Sequence, residues 1–463
     1  MSILDKIGEV LAPGRITADK TCVEAHSYDA WPVAVKWRQQ GKRPCSPEAV
    51  ARPQSTDEVA LLLRSCNAGG TTVTPWGLGS SVVGSPLTET GGVVVDLSAM
   101  DNIVKLDEEN LCVTVQAGKR GDLLEAELNE KGYTLNHSPQ SLDRSTIGGW
   151  IATRATGQFS SLYGGIEDQF LALEVVLPNG QIIQTKQTPR AAIGLDTKQL
   201  FLGSEGTLGI VTAVTTKIFP LKHHRRFETV TFDDVSSGIA AMRAITRAGL
   251  KPFLIRFYDV DESRHAMKDK ALSKCVMFLG FEGYPSIVEA EFDVVMGICT
   301  ENGGVAVGPN GVNGWMARRY DFSAIEKVLA KPGGVAETIE ISDFWGRIEG
   351  TYEALKTALS PLADEVLCHF SHVYAQGTSL YVILVGQAAD AAEAEAQIRE
   401  IWDVAMKICI ERGATTSHHH GVGLARKDFV TADQGDGMVV NRAVKMALDP
   451  NNVMNPGKLG YKL

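Results

Sequence analysis

The sequence predicts an α+β fold, in which strands and helices mix without forming a regular βαβ repeat. β-branched runs lie between glycine turns, as in Gly92–Leu97 and Leu111–Val115. Leu171–Ile183 joins two apolar runs through an Asn-Gly turn, which predicts a β-hairpin. Thr56–Ala68 carries apolar residues at helical spacing after a Ser-Thr-Asp start. These patterns together indicate α+β.

The middle of the chain predicts a second α/β domain. The 463 residues are too many for one ordinary core and predict two or three domains. Apolar strands such as Thr229–Phe232 and Lys274–Phe281 alternate with helical segments such as Ser237–Ala248 and Ala389–Ile410. The second domain therefore begins near residue 221 and ends near residue 400.

Composition and charge exclude several function classes. The net charge of −10 argues against a nucleic-acid surface, although local arginines could still bind an anionic substrate. Eight cysteines are scattered with no C-x-x-C pair, which indicates reduced, buried thiols in a cytoplasmic protein. No run of about 20 apolar residues predicts a membrane span.

Glycine-rich stretches are the first functional signal. Thr74–Gly84 follows an extended segment, and its backbone amides could face a pyrophosphate, although a plain glycine turn between strands is the alternative. Ser138–Gly157 is dense in hydroxyl and small residues. Phe201–Thr212 places three glycines within seven positions, as close approach to a ligand would require. None of these stretches is a Rossmann fingerprint.

Together these motifs resemble the vanillyl-alcohol-oxidase-type flavoproteins, whose FAD-binding domain is of the PCMH type. The resemblance implies a two-subdomain FAD-binding domain over residues 1–220, an α/β cap over 221–405 and a C-terminal segment, 406–463, that returns to the FAD site. Because no histidine lies between Thr74 and Gly84, we expect FAD to be bound non-covalently. The FAD-binding residues implied are Pro75, Trp76, Gly77, Leu78, Gly79, Ser80, Ser81, Val82, Pro139, Gln140, Ser141, Thr146, Gly148, Gly149, Thr153, Arg154, Ala155, Glu205, Gly206, Thr207, Gly209, Ile210 and Val211.

A run of three histidines, His418, His419 and His420, is the most unusual local feature. It is internal and precedes Gly421, so it is not a tag. Histidine is the natural general acid or base near neutral pH. Adjacent side chains on an extended loop point to alternate faces, so we predict no metal site.

The same resemblance implies two further catalytic residues. The triple histidine is similar to that of the alkylglycerone-phosphate synthase branch, whereas hydroxy-acid dehydrogenases often have Glu-His-Gly there. In that branch Tyr381 matches an acid/base tyrosine and Arg256 an active-site arginine. The alternatives are a packing role for Tyr381 and a surface ion pair between Arg256 and Asp259 or Asp261.

Two other features bear on the reaction. Glu326 stands where the synthases have a phosphate-binding arginine, and a glutamate there would repel a phosphate. His369 and His372 are three apart on a predicted strand, so they should face opposite sides and not both reach the flavin.

The sequence therefore supports two hypotheses. The first is an FAD-dependent oxidoreductase that oxidises a small hydroxy acid or alcohol by hydride transfer to flavin N5, with Arg256 orienting an anionic substrate. The second is a non-redox transferase that exchanges an acyl group for a fatty alcohol through a flavin N5 adduct. The first needs an electron acceptor that the sequence does not identify, and a homodimer is left open.

Overall fold

The computed structural model describes residues 7–461 except residue 9. The strands, in chain order, are β1 (Ile16–Thr17), β2 (Ala49–Ala51), β3 (Val73–Trp76), β4 (Val93–Asp96), β5 (Ile103–Asp107), β6 (Cys112–Gln116), β7 (Tyr133–Thr134), β8 (Phe170–Val176), β9 (Ile182–Gln184), β10 (Ile210–Lys217), β11 (Phe219–Pro220), β12 (Arg225–Phe232), β13 (Leu254–Tyr258), β14 (Cys275–Glu282), β15 (Val305–Ala306), β16 (Gly334–Phe344), β17 (Glu365–Val373) and β18 (Gly377–Gln387).

The α-helices of the described residues lie between and after these strands. They are Lys20–Ala25, Pro32–Gln39, Thr56–Gly69, Gly121–Asn129, Ile147–Thr153, Ser160–Tyr163, Ile166–Gln169, Val235–Arg247, Val260–Met267, Pro285–Glu301, Asn310–Met316, Ser323–Leu329, Ile348–Leu359, Ala391–Arg412, Val430–Gln434 and Met438–Leu448. The α+β prediction is confirmed. None of these helices is long and apolar enough to cross a membrane.

Two larger sheets form most of the N-terminal half, and β7 pairs with β11 as a separate two-stranded sheet. The first has the order β1-β2-β4-β3, and β4 runs parallel to both β2 and β3. The second has the order β5-β6-β10-β8-β9 and is antiparallel. The predicted hairpin is its β8–β9 edge, where Val175 pairs with Ile183. Each of the two larger sheets has its own cluster of buried apolar side chains.

The end of the chain returns to the first sheet. The amide of Val73 in β3 donates to the carbonyl of Val453 at 2.7 Å, and the amide of Asn455 donates to the carbonyl of Val73 at 2.8 Å. The side-chain amide of Asn455 donates to the carbonyl of Glu205 at 2.7 Å. The C-terminal segment thereby joins strand β3, which leads into the first glycine-rich stretch, to the third stretch. The domain boundaries near 220 and 405 stay predictions.

A seven-stranded sheet with the order β15-β12-β14-β13-β17-β18-β16 dominates the second half. Its register aligns four residues in one row: Tyr258 pairs with His369, His369 with Tyr381, and Tyr381 with Glu340. Directly paired residues of an antiparallel sheet project to the same face. The row therefore presents four polar side chains on one side of the sheet.

Gly118 lies at a close contact between the two larger N-terminal sheets. Its amide donates to the carbonyl of Met100 at 2.9 Å, and a Cβ at this position would lie 1.9 Å from the carbonyl oxygen of Leu97. We expect Gly118→Ala to lower the free energy of unfolding by about 1–3 kcal/mol, because a backbone atom must move. The urea unfolding midpoint measures this.

Gly297 provides the matched control. It lies in the helix Pro285–Glu301, and a Cβ there would meet nothing within 4 Å. Gly297→Ala should keep or raise the midpoint, by up to about 1 kcal/mol in stability. Equal midpoints for the two alanine variants would contradict the prediction.

Candidate functional site

The three glycine-rich stretches meet in space. A Cβ at Gly77 would lie 2.7 Å from Thr146 Oγ1, and a Cβ at Gly206 would lie 2.6 Å from Pro75 Cγ. Gly206 also has φ +70, which favours glycine. The first stretch therefore packs against both the second and the third. Their small residues leave room for this approach, whereas the sequence analysis explained the glycines by approach to a ligand.

The loop after β3 has the form of an anion cradle. The backbone amides of residues 77–82 donate no hydrogen bond to any residue that the structure describes. Gly79 has φ +67, and a Cβ there would lie 2.4 Å from Trp76 Cζ2. Because unpaired backbone amides in a glycine turn suit a phosphate oxygen, these residues fit a pyrophosphate group.

A buried carboxyl lies behind this cradle. Asp29 accepts hydrogen bonds from the amides of Trp31 at 3.1 Å and Gly84 at 3.0 Å. Burial raises the pKa of Asp29 to about 7, against the lowering effect of these two amides. The neutral form, which does not repel an anion, is therefore well populated at neutral pH.

The rest of the predicted cofactor residues lie on three short elements. Thr146 caps the helix Ile147–Thr153 through its Oγ1, which accepts from the amide of Gly149 at 3.2 Å, and Arg154 ends that helix with φ +57. Pro139, Gln140 and Ser141 form the turn before it, and Ala155 follows it. Gly206, Thr207 and Gly209 lead into β10, which contains Ile210 and Val211.

Glu205 connects the cofactor stretches to the histidine run. Its carboxylate accepts from the amides of Val422 and Gly423, the latter at 2.9 Å. A Cβ at Gly421 would lie 2.8 Å from Glu205 Oε1. The glycine after the histidines therefore lets the loop approach the third stretch. The carboxylate of Glu205 is therefore engaged in hydrogen bonds with the loop that follows the histidine run.

The three histidines of the run gather in one cluster with His372. The ring centroids of His418 and His419 are 5.0 Å apart, and those of His419 and His420 are 4.4 Å apart. The His372 ring lies 5.1 Å from the His418 and His419 rings. Tyr381 lies 6.0 Å from His419 and 5.7 Å from His420. The structure thus brings together four of the five predicted catalytic residues.

Glu340 fixes the backbone of this run. Its carboxylate accepts from the amides of His419 at 3.3 Å and His420 at 2.9 Å, and from Ser417 Oγ at 3.1 Å. Both of its oxygens also pair with the guanidinium of Arg426, whose Nη1 is 3.1 Å from Oε1. Glu340 and Arg426 are fully buried. Sequence analysis missed both residues as parts of the site.

Burial and nearby charges together set the pKa values of the groups in this cluster. Burial tends to raise the pKa of Glu340, but Arg426 and His420 outweigh it and hold that pKa well below its usual range. Burial lowers the pKa of His418 to about 4 and that of His419 well below the usual value. Burial raises the pKa of Tyr381. His418 and His419 are therefore neutral imidazoles near the protonated phenol of Tyr381.

The expectation that His369 and His372 face opposite sides is wrong. His372 has φ +53, and the pairing of β17 with β18 shifts register between Ser371 and Val373. This β-bulge inserts one residue and turns His372 towards the side that His369 already faces. His369 stacks on Tyr381 at 4.8 Å, while His372 stacks on His418. Periodicity alone could not reveal the bulge.

Arg256 lies at the other end of the row. Its Nε donates to Tyr258 Oη at 2.7 Å, and its Nη2 donates to His369 Nε2 at 2.7 Å. Asp259 and Asp261 pair with Lys356 instead. The surface ion pair considered for Arg256 is therefore absent among the described residues, and the arginine instead contacts two members of the polar row, Tyr258 and His369.

Glu326 has a partner that the sequence analysis did not anticipate. It pairs with Arg144 at 2.9 Å, and 60% of its side chain is exposed. A carboxylate that is paired and open to water exerts little repulsion at a distance. Glu326 therefore gives no reason to exclude a phosphate from the site.

Side chains near the cluster could hold other groups. His372, His418 and His419 each offer one ring nitrogen within 4.8 Å of the others, a spacing that could hold a metal ion, so the absence of a metal site stays a prediction. A cavity of about 480 Å³ is lined in part by Ser160 and Tyr374. These two hydroxyls lie 2.7 Å from His372 Nδ1 and 2.8 Å from His418 Nε2, so the cavity adjoins the cluster.

Two buried glutamates of β16 offer a direct test of the Glu340 interaction. We expect Glu340→Gln to destabilise the protein by about 3–5 kcal/mol, because it leaves Arg426 as an unpaired buried charge. Burial raises the pKa of Glu337 to about 8, so this residue is largely neutral at pH 7 and accepts from Trp402 Nε1 at 2.9 Å. Glu337→Gln keeps that acceptor and should cost less than about 1 kcal/mol.

Urea unfolding at pH 7 measures both variants. The sign of the pH effect follows from the lowered pKa of Glu340: its contribution is present above the unfolded pKa and is lost as the pH falls through the folded value. The gap between wild type and Glu340→Gln should therefore narrow in acid. Equal losses in the two variants at pH 7 would contradict this account.

Comparison with known proteins relates the chain to FAD-binding families. Residues 47–186 match the family described as FAD binding domain, and residues 221–459 match the C-terminal domain of FAD linked oxidases. An uncharacterised FAD-linked oxidoreductase of Escherichia coli (strain K12) is 31% identical over 99% of this chain and 98% of its own length.

Other relatives differ in their named activities. The alkyldihydroxyacetonephosphate synthase of Trypanosoma brucei brucei is 27% identical over 98% of this chain and 80% of its own. The glycolate oxidase subunit of Bacillus subtilis (strain 168) is 28% identical over 94% of this chain and 92% of its own.

Solved structures share the fold. An alkyldihydroxyacetonephosphate synthase structure has a TM-score of 0.83 at 24% identity and covers 98% of this chain and 85% of that one. A p-cresol methylhydroxylase structure has a TM-score of 0.79 at 15% identity and covers 99% of this chain and 96% of that one. The predicted PCMH-type fold and the FAD cofactor are confirmed. The chain belongs to the FAD-linked oxidase family.

Proposed function

We propose that the protein oxidises a small hydroxy acid or secondary alcohol, with His419 as the general base. Bound FAD supplies the acceptor for the electron pair of the C–H bond. The observation that carries the proposal is the position of the His419 ring, whose centroid lies 6.0 Å from that of Tyr381. Burial lowers the pKa of His419 and raises that of Tyr381, which supports a neutral imidazole beside a protonated phenol.

The choice of base follows from the protonation states. A base must be unprotonated at the working pH. The raised pKa of Tyr381 leaves its hydroxyl able to donate a hydrogen bond to the substrate oxygen but unable to accept its proton. His419 Nδ1 lies 2.8 Å from His418 Nδ1, and its Nε2 makes no hydrogen bond with a described residue. When the ring proton of His419 sits on Nδ1 and is donated to His418 Nδ1, Nε2 is free to accept the substrate hydroxyl proton.

Arg256 would orient the substrate. With Nε and Nη2 engaged, its Nη1 makes no hydrogen bond with the residues that the structure describes. The guanidinium carbon lies 5.5 Å from the Trp315 ring centroid and 5.3 Å from that of Tyr258. A cation in aromatic surroundings with a free donor suits a carboxylate. An anionic substrate fits this arrangement.

The glycine-rich stretches would hold FAD without a covalent bond. The unpaired amides of residues 77–82 would bind the pyrophosphate, and this loop contains no histidine. The remaining predicted cofactor residues meet the loop through Thr146 and Gly206.

Anaerobic reduction of the bound flavin by a panel of 2-hydroxy acids tests the oxidation. We expect at least one to bleach the flavin absorbance, and His419→Asn to slow bleaching by about 10²–10⁴-fold through loss of the base. Because the pKa of His419 lies well below 6.5, bleaching by wild type should persist below that pH.

Glu326→Gln is the control for this experiment. Its side chain is exposed and paired with Arg144, so bleaching should stay at the wild-type rate. If no member of the panel bleaches the flavin, or if His419→Asn bleaches as fast as wild type, the proposal fails.

A synthase-like acyl-for-alkyl exchange is the second candidate. The pairing of Glu326 with Arg144 removes the objection that this carboxylate repels a phosphate, and the triple histidine adjoins Tyr381. This reaction needs no electron acceptor. Formation of alkyl-glycerone phosphate from acyl-glycerone phosphate and a fatty alcohol, with no acceptor present, would establish it and displace the first candidate.

FAD affinity should depend on pH through Asp29. We expect apoprotein to bind FAD reversibly, and about three- to tenfold more weakly at pH 8 than at pH 6, because an ionised carboxylate behind the loop opposes the pyrophosphate. The window follows from the pKa of about 7. Asp29→Asn should lose this pH dependence, even if it binds FAD less tightly overall. An unchanged pH dependence of FAD affinity in Asp29→Asn would exclude this role of the residue.

The same apoprotein preparation tests how FAD is attached. Flavin that stays with the protein after precipitation would contradict non-covalent binding.

A further inference from the structure

His369 occupies the centre of the polar row and has no part in the proton transfer described above. It pairs across the sheet with Tyr258 on one side and Tyr381 on the other. Its side chain is buried, and its ring stacks on that of Tyr381 with centroids 4.8 Å apart and planes 14° apart. The phenol ring is thus held against one face of the imidazole.

Both ring nitrogens of His369 are engaged. Nε2 lies 2.7 Å from Nη2 of Arg256, and Nδ1 lies 2.8 Å from the carboxylate of Glu262. Because a guanidinium can only donate, Nε2 must be the acceptor and the ring proton must sit on Nδ1. Glu262 accepts that proton's hydrogen bond. The two contacts therefore fix one tautomer and one orientation of the ring.

Glu262 is itself held in place by the fold. It lies in the first turn of the helix Val260–Met267, where its amide donates to the side chain of Asp259 at 2.9 Å. Asp259 in turn pairs with Lys356. A rigid helix start thus supports the carboxylate, the carboxylate orients the imidazole, and the imidazole fixes one amino group of Arg256.

We propose that His369, oriented by Glu262, is a positioning residue that aims Arg256 at the anionic group of the substrate. It does so by holding Nη2 and leaving Nη1 free, and it aligns Tyr381 with the same substrate by stacking. This inference rests on the proposed function in one respect: it takes Arg256 as the group that binds the anion.

Two substitutions of His369 separate its two contacts. In His369→Gln the side-chain oxygen can reach the position of Nε2 and accept from Arg256. In His369→Asn the shorter amide can reach only the position of Nδ1, so Arg256 loses its acceptor. His265→Gln is the control, since His265 lies on the same helix as Glu262 and its side chain is 54% exposed.

Anion binding provides a readout that does not require turnover. Holoprotein is titrated with oxalate, and separately with inorganic phosphate, by isothermal calorimetry. Burial raises the pKa of Glu262 to about 7, so pH 8 keeps it ionised. We expect the dissociation constant of the better-bound anion to rise about tenfold or more in His369→Asn, the equivalent of one lost hydrogen bond to a charged group. His369→Gln should stay within about threefold and His265→Gln should match wild type.

The outcomes distinguish this inference from the proposed function. FAD content and the urea midpoint of each variant show whether a loss of binding is only a loss of folding. Tight anion binding by a folded His369→Asn protein, or binding of neither anion by wild type, would overturn the inference. If anions bind as expected but no hydroxy acid bleaches the flavin, the proposed function fails while the role of His369 stands. If a substrate that the enzyme converts is found, its KM should increase by a larger factor in His369→Asn than its kcat decreases, both relative to wild type.

Discussion

The buried ion pair between Glu340 and Arg426 is the interaction on which the rest of the site depends. One carboxylate receives two amides of the histidine run, the hydroxyl of Ser417 and both amino groups of Arg426. A buried charge is tolerable only when its partners are complete. The hydrogen bonds to this carboxylate therefore hold the loop of the histidine run in one conformation, and the positions of its histidines are fixed as a result.

The site has charged side chains at its two ends and neutral histidine rings between them. At one end Arg426 pairs with Glu340, and at the other His369 lies between Arg256 and Glu262 and contacts both. Between them the histidine rings are neutral, because burial lowers the pKa of His372, His418 and His419. A neutral imidazole has one unprotonated ring nitrogen, so it can accept a substrate proton directly, while the neighbouring phenol keeps its own proton.

The cofactor half of the site depends on close packing. Three stretches far apart in sequence meet only because Gly77 and Gly206 carry no side chain at their contacts with Thr146 and Pro75. Glu205 then ties this half to the histidine run. Relatives of this chain carry different named activities, and a shared fold can host different chemistry according to the few side chains at its site.

Reading the chain alone was enough to predict the α+β class and several elements, among them the helix Thr56–Gly69 and the β8–β9 hairpin. Those elements follow from local periodicity, which depends on neighbouring residues. The family and its FAD cofactor followed from the resemblance of the glycine motifs to known flavoproteins. The assembly of the site could be seen only in the folded chain. The register that aligns Tyr258, His369, Tyr381 and Glu340, the bulge that turns His372, and the pairing of Glu326 with Arg144 all involve residues distant in sequence. Strand pairing and burial fix such contacts, and neither leaves a local signature in the chain.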